Sequence, residues 1–115
     1  MTNFVHIPDL AALLSDIPPD SIVSRTVLNE KSVRAILFGF APGQELTEHR
    51  TPMAAILHIL AGEGRLTLGQ EEVEVKPGAF VYMPPNLPHS VLARTELHML
   101  LAMVQEKATQ AEAGA

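Results

Sequence analysis

Hydrophobic residues along this chain form short runs, and turn-forming residues interrupt them at intervals of about eight to twelve positions, which is typical of an all-β protein. The exception lies near the start, where Leu10, Leu13 and Leu14 follow Pro8 and Asp9 at helical spacing and predict a short N-terminal helix. Nine strands are predicted after it, near residues 21–28, 32–40, 45–50, 53–60, 64–68, 71–76, 79–83, 88–93 and 96–104.

Hydrophobic and charged residues alternate strictly within the predicted strand at 71–76. Val73 and Val75 point to one face and Glu72 and Glu74 to the other, so one face of this sheet is expected to be buried and the other solvated. Nine short strands in one open sheet would leave an exposed edge, which favours a sandwich or a closed double sheet. We expect a jelly roll.

The length of 115 residues corresponds to one domain. We divide it into an N-terminal segment with the short helix at 1–20, a barrel at 21–104 and a flexible tail at 105–115. The tail is polar and rich in alanine, and it has no β-branched apolar residue to anchor it.

The charge balance excludes several classes of partner. Eight basic residues against thirteen acidic ones leave a net charge of −5, without the basic cluster that a phosphate backbone requires, so nucleic acid is not an expected partner. The apolar runs are shorter than the roughly 20 residues of a membrane helix, and the first residues do not resemble a secretory signal. We expect a cytoplasmic protein that does not bind membranes.

Histidine is the residue type that offers metal chemistry in this sequence. The chain has no cysteine, which excludes thiolate metal sites, disulfides and cysteine nucleophiles. His49, His58 and His89 lie in or beside predicted strands, and imidazole is a common ligand of Zn, Fe, Ni and Cu.

Two segments resemble the paired motifs of the cupin superfamily. The first motif opens with a glycine and, after five further residues, a histidine, and this opening is similar to Gly43 and His49. Gly62 occupies the position of its closing glycine. The second motif is similar to the run from Gly78 to His89, which reads Gly-Ala-Phe-Val-Tyr-Met-Pro-Pro-Asn-Leu-Pro-His. The resemblance implies an all-β fold of cupin type, which is a double-stranded β-helix or jelly roll barrel. It also implies a divalent metal held by three histidines and one glutamate.

The chain departs from the family's pattern at half of the metal positions. Thr51 stands where the second histidine of the first motif is expected, and Ala55 stands where the glutamate is expected. Asn86 replaces the glycine before the last histidine, and Ala93 replaces the final asparagine. His49 and His89 are therefore the candidate ligands for a weakly bound divalent transition metal such as Zn, Fe, Ni or Mn.

His58 is a further candidate ligand, but it lies three residues from Ala55 and so has the opposite parity on a strand. An outward or subunit-facing position is the more natural interpretation. The barrel interior is expected to be apolar and to bind a small, largely apolar organic ligand. The predicted pocket residues are Phe38, Phe40, Met53, Leu57, Met83 and Met99.

Three functions remain open from the sequence. The first is a metal-binding cupin with oxygenase or isomerase activity, and the second is a metal-free cupin that binds or senses a ligand. The third is a structural partner subunit without a ligand. A homodimer is expected in each case, because the stretch from Met53 to Leu60 carries large apolar residues on both faces of one strand.

Overall fold

Nine strands make up almost all of the regular structure, as the alternation of hydrophobic and polar residues predicts. In the computed structural model, which describes residues 4–105, every strand ends within one residue of its predicted position. The strands are β1 (Ile22–Asn29), β2 (Val33–Phe40), β3 (Glu45–His49), β4 (Ala54–Ala61), β5 (Gly64–Leu68), β6 (Glu71–Val75), β7 (Phe80–Met83), β8 (His89–Ala93) and β9 (Leu97–Val104). The predicted tail lies, from residue 106 onward, outside the described residues.

The strands form two antiparallel sheets. One sheet has five strands in the order β1-β2-β9-β4-β7, and the other has four in the order β3-β8-β5-β6. Successive strands repeatedly cross from one sheet to the other, which gives the jelly roll that the sequence predicts. No helix among residues 4–105 has the length and apolar character needed to cross a membrane.

The predicted N-terminal helix is a single 3-10 turn at Leu10–Leu13. The amide of Ala12 donates to the Asp9 carbonyl, which is the tighter i to i+3 pattern, and the Asp9 side chain makes no capping bond. None of the four residues of the turn is buried. With so little apolar surface to bury, the segment does not extend into an α-helix.

The hydrophobic core fills the space between the two sheets. Leu66 of β5 is fully buried, and its neighbours in the sheet are Val73 of β6 and Val91 of β8. Glu72 and Glu74, which alternate with the valines of β6, are exposed. The alternation in this hairpin therefore assigns the inner face correctly, and the five-stranded sheet supplies the opposite half of the core.

The N-terminal segment packs on the outer face of the five-stranded sheet, which we define as the side turned away from the four-stranded sheet. A methyl group added at Gly39 would lie 2.5 Å from the Ile17 side chain, so the segment crosses β2 at close range. Leu37, on the same face of β2, is fully buried. The segment thus covers the β1 and β2 half of this face.

Candidate functional site

The two connections 50–53 and 84–88 meet at one end of the sandwich, which we call the barrel mouth. The first joins the end of β3 to the start of β4, and the second joins the end of β7 to the start of β8. The Asn86 amide donates to the Thr51 carbonyl at 2.7 Å and ties the two connections together. As a result, His49, the last residue of β3, and His89, the first residue of β8, lie at the same mouth.

His49 and His89 face each other directly across the β3 and β8 pair. They are register partners, and a β-bulge between Leu46 and His49 sets this pairing. The centroids of the two rings are 4.2 Å apart, with an angle of 59° between the ring planes. The structure therefore brings together the two histidines that occupy motif positions, and we call them the histidine pair.

Backbone carbonyl groups orient both imidazoles in the same way. The Nδ1 atom of His49 lies 2.9 Å from the Thr47 carbonyl oxygen, and the Nδ1 atom of His89 lies 2.9 Å from the Leu87 carbonyl oxygen. A carbonyl oxygen accepts hydrogen bonds and does not donate them, so each Nδ1 carries the proton. In the neutral rings both Nε2 atoms consequently keep a free lone pair.

The two rings differ in burial. His89 is 5% exposed, whereas His49 is exposed at the mouth. Burial lowers the pKa of His89 below the ordinary value of imidazole, and the neighbouring His49 lowers it further, while the bond to the Leu87 carbonyl acts in the opposite direction. The neutral, ligand-competent form of His89 is therefore favoured near neutral pH.

The other two motif positions offer little to a metal. The Thr51 hydroxyl accepts a hydrogen bond from the Met53 amide at 3.3 Å. Ala55 is 1% exposed and is flanked in the sheet by Met83 of β7 and Met103 of β9. Within residues 4–105 no group of three or more His, Cys, Asp or Glu side chains is arranged to hold a metal ion.

This donor set fits an ion that accepts two imidazole nitrogens and completes its coordination with water or an organic ligand. His49 and His89 would hold such an ion through their Nε2 atoms. The donor set does not fit an ion that requires carboxylate ligands from the protein at this position, because Ala55 has no donor atom.

His58 lies on the outer face of the five-stranded sheet. Its register partners are Phe80 and Leu100, whereas Ala55, of opposite parity on β4, points into the core. His58 therefore cannot reach the same ion as the histidine pair. The outward position that strand parity predicts is the one that the structure has.

Four of the six predicted pocket residues belong to the filled core. Phe40, Leu57, Met83 and Met99 are each at most 2% exposed and have no free surface with which to line an open pocket. The reason is close packing, because the side chains of the two sheets fill the interior at these four positions. Phe38 is partly buried against this core.

Met53 does line open space. It borders a cavity of about 500 Å³, which Pro52 and Pro85 of the two mouth connections also line, and another of about 210 Å³ between Met53 and the turn at residues 29–33. Met103 lines the second cavity and was not expected there from the sequence. The sequence did contain a signal for its position. Met103 lies four residues after Met99 on one strand, so the two side chains point to the same, inner face of the sheet.

A two-sheet jelly roll with two facing histidines at one mouth defines a small barrel protein of the cupin type. The family described as "Cupin domain" matches residues 36–104, which is more than half of the chain, and the chain belongs to this family.

Solved structures and one curated relative are similar to this chain. A conserved protein of unknown function, SPY1581 from Streptococcus pyogenes, has a TM-score of 0.78 at 28% identity over 90% of this chain and 92% of that one. The cupin superfamily protein DSY2733 from Desulfitobacterium hafniense has a TM-score of 0.80 at 20% identity, over 89% of this chain and 94% of that one. The uncharacterised protein MJ1618 from Methanocaldococcus jannaschii is 47% identical over 36 residues, which cover 31% of this chain and only 29% of the relative.

Proposed function

We propose that this protein is a small-molecule-binding cupin that uses the histidine pair to hold a divalent transition metal weakly at the barrel mouth. The observation that carries the proposal is the shared orientation of the two rings, in which both Nδ1 atoms donate to backbone carbonyls and both Nε2 atoms stay free. A hydrogen bond from the second ring nitrogen is the usual way in which proteins orient histidine ligands for metals.

The number of ligands sets the expected strength of binding. Two imidazoles leave most of the coordination sphere to water, so affinity should lie well below that of a site with three or four protein ligands. The same vacancy leaves room for an organic ligand on the ion, and a bound ion would act there as a Lewis acid. Open coordination positions of this kind are what an oxygenase or an isomerase requires.

The test is a calorimetric titration with Zn²⁺, Ni²⁺ and Mn²⁺. Wild-type protein is expected to bind Zn²⁺ or Ni²⁺, and the double variant His49→Ala with His89→Ala should lose this binding. His58→Ala is the matched control, because it removes an imidazole from the outer face and should leave the affinity unchanged. X-ray absorption should give metal to nitrogen distances of about 2.0–2.1 Å.

A metal-free ligand-binding cupin is the second candidate, and Ala55 and Thr51 favour it. One position has no donor atom, and the other already accepts a hydrogen bond from the Met53 amide. If wild-type protein binds none of the three metals at millimolar concentration, this second function replaces the first.

We also infer that two copies pair through the outer face of the five-stranded sheet. The N-terminal segment reaches as far as Leu100 of β9 and leaves the β4 and β7 part of that face open, where Phe80 and Tyr82 are 66% and 59% exposed. Tyr82, Ile56 and Ala102 form one continuous row across three strands. An apolar area of this kind supports an interface between two identical subunits.

A further inference from the structure

We propose that the organic ligand at the barrel mouth carries a carboxylate and that Arg34 binds it. This inference rests on the proposed function, because it specifies the chemical class of ligand that the same mouth takes. The residues that carry it are Arg34, Lys31, Met53 and Met103, which line one cavity of about 210 Å³.

The register of β2 places Arg34 on the inner face of the five-stranded sheet. Its partner across the ladder is Met103, which is 9% exposed and belongs to the core. Register partners in an antiparallel pair have their side chains on the same face. Ile36, Phe38 and Phe40 follow Arg34 at intervals of two and all pack in or against the core.

Arg34 also lies at the same end of the barrel as the histidine pair. It is the second residue of β2, and it shares a row with Met103, Ala55 and Met83. This row lies one residue from the start of β4 and at the end of β7, where the 50–53 and 84–88 connections join these strands. The sequence alone did not draw attention to it. A lone arginine at the start of an apolar strand is most often a solvated end residue.

The guanidinium is exposed and available for an incoming anion. The ion pairs among residues 4–105 use other groups, namely Arg65 with Glu72, Arg94 with Glu74 and His98 with Glu96, and none involves Arg34. A guanidinium offers a planar fork of N–H donors, and this geometry matches the two oxygens of a carboxylate.

The charge of the cavity favours a single negative charge. Lys31 and Arg34 contribute two positive charges, and Glu30 in the same lining contributes one negative charge, so the balance is one positive charge. A carboxylate monoanion neutralises that balance. A phosphate dianion would leave one negative charge uncompensated beside Glu30.

The surroundings of the cavity favour an apolar body behind the carboxylate. Beside the charged side chains, Val33, Met53 and Met103 form the apolar part of the cavity's own lining. The cavity at Arg34 itself is smaller than the roughly 300 Å³ at which pockets for drug-sized ligands begin. The inferred ligand is a small aromatic or aliphatic acid.

The test uses benzoate and benzamide, which have the same shape and differ in charge, and phenyl phosphate as the dianion. The methyl groups of all methionines are labelled with ¹³C and followed by NMR. Benzoate is expected to shift Met53 and Met103, which line the cavity, and to leave the core residue Met99 unmoved. Its affinity should exceed that of benzamide at least tenfold.

Two variants assign the effect to the guanidinium. Arg34→Gln should remove the preference for benzoate over benzamide, whereas Arg25→Gln should retain it. Arg25 is the matched control, because it is an exposed arginine on the neighbouring strand β1 and pairs with Leu37 on the outer face. Thermal unfolding of both variants confirms that they remain folded.

Several results would overturn the inference. They are equal affinity for benzoate and benzamide, a preference for phenyl phosphate, an unchanged preference in Arg34→Gln, or no shift with benzoate at 10-fold molar excess or above. The proposed function fails separately. If wild-type protein binds benzoate as expected but does not bind zinc, the metal site is wrong and the carboxylate ligand stands. If it binds zinc but not benzoate, the carboxylate ligand is wrong and the metal site stands.

Discussion

At the scale of single residues, two backbone carbonyls decide which imidazole nitrogen is available. Both histidines bond to the carbonyl two residues earlier in the chain, at Thr47 and at Leu87. The sequence identified His49 and His89 from motif spacing, but it contains no signal for the orientation of the rings. Ring orientation depends on a bulge in β3 and on the path of the 84–88 connection, and both are tertiary features.

The burial of His89 predicts a dependence of stability on pH. Because the folded-state pKa of His89 is lowered, the unfolded chain binds a proton more readily, near the ordinary value of about 6.5. The contribution of the neutral ring to stability should be complete above about pH 6.5 and should be lost as the pH falls below that value toward the folded-state pKa.

The measurement is the free energy of unfolding in urea between pH 8 and pH 5 for wild-type protein and His89→Gln. The loss of stability toward low pH should be steeper in wild-type protein, since glutamine does not titrate. Parallel curves would show that the protonation of His89 is not linked to folding. Zinc affinity should decline over the same range, because a protonated imidazole has no lone pair for the ion.

Asn86 shows how far a departure from a family motif can be interpreted from sequence. It replaces a motif glycine, and in the structure it has a φ of 68°, in the left-handed region. Asparagine is among the few residues other than glycine that adopt this conformation readily. The substitution therefore preserves the backbone conformation of the motif. Ala55, in contrast, stands at a ligand position and removes the donor atom that the motif supplies there.

At the scale of elements, the strands were predictable because their signals are local. Alternation with period two and regular turn residues are visible in any short window, and they located all nine strands. The N-terminal helix was overestimated, because three leucines at helical spacing find too little surface to bury and form only a 3-10 turn. The order of strands within each sheet was not predicted, because it depends on long-range pairing that no short window shows.

The turns should differ sharply in their tolerance of a side chain. Gly62 and Gly78 have φ values of 85° and 97°, so alanine at either position should cost about 1–2 kcal/mol of stability from backbone strain. At Gly62 a Cβ would also lie 1.9 Å from the Glu96 carbonyl oxygen, whereas Gly78 has open space around it. The clash should add about 1–3 kcal/mol.

Urea unfolding of Gly62→Ala and Gly78→Ala tests this difference directly. Gly62→Ala should lose clearly more stability than Gly78→Ala, because the backbone of the turn before β9 must move. Equal losses in the two variants would mean that the close approach of the 62–63 and 95–96 turns does not constrain the barrel.

At the scale of the whole molecule, the outer face of the five-stranded sheet is covered on one half only. Leu37 is fully buried there, and Phe80 at the far end of the same row is 66% exposed. The sequence predicted an apolar strand with two apolar faces, but it could not show which half of the sheet the N-terminal segment covers. That choice depends on long-range packing of Ile17 on Gly39.

The proposed dimer predicts that Phe80→Asp dissociates the protein without unfolding it. Phe80 makes little contact within its own chain, so the stability of the monomer should change by less than about 0.5 kcal/mol. A charge placed on a shared apolar face should prevent association. Light scattering at micromolar concentration should give the mass of a dimer for wild-type protein and of a monomer for the variant.

Thr67→Asp is the control for this experiment, because Thr67 lies on the outer side of the other sheet. It should leave the dimer intact. The proposed dimer would be wrong if wild-type protein is monomeric at micromolar concentration. It would also be wrong if the two subunits in a structure bury less than about 1,000 Å² between them.

The orientation of the two imidazoles also limits how a ligand can bind at the mouth when no metal ion is present. Both free nitrogens act only as acceptors toward an approaching molecule, and their neighbours Thr47 and Leu87 already take up the two N–H groups. A hydroxyl, amide or ammonium group can dock there, but a bare carboxylate finds no donor on the neutral rings. If the proposed ligand is a hydroxy acid, it would therefore bind in one favoured orientation, with its hydroxyl toward the histidine pair and its carboxylate away from it.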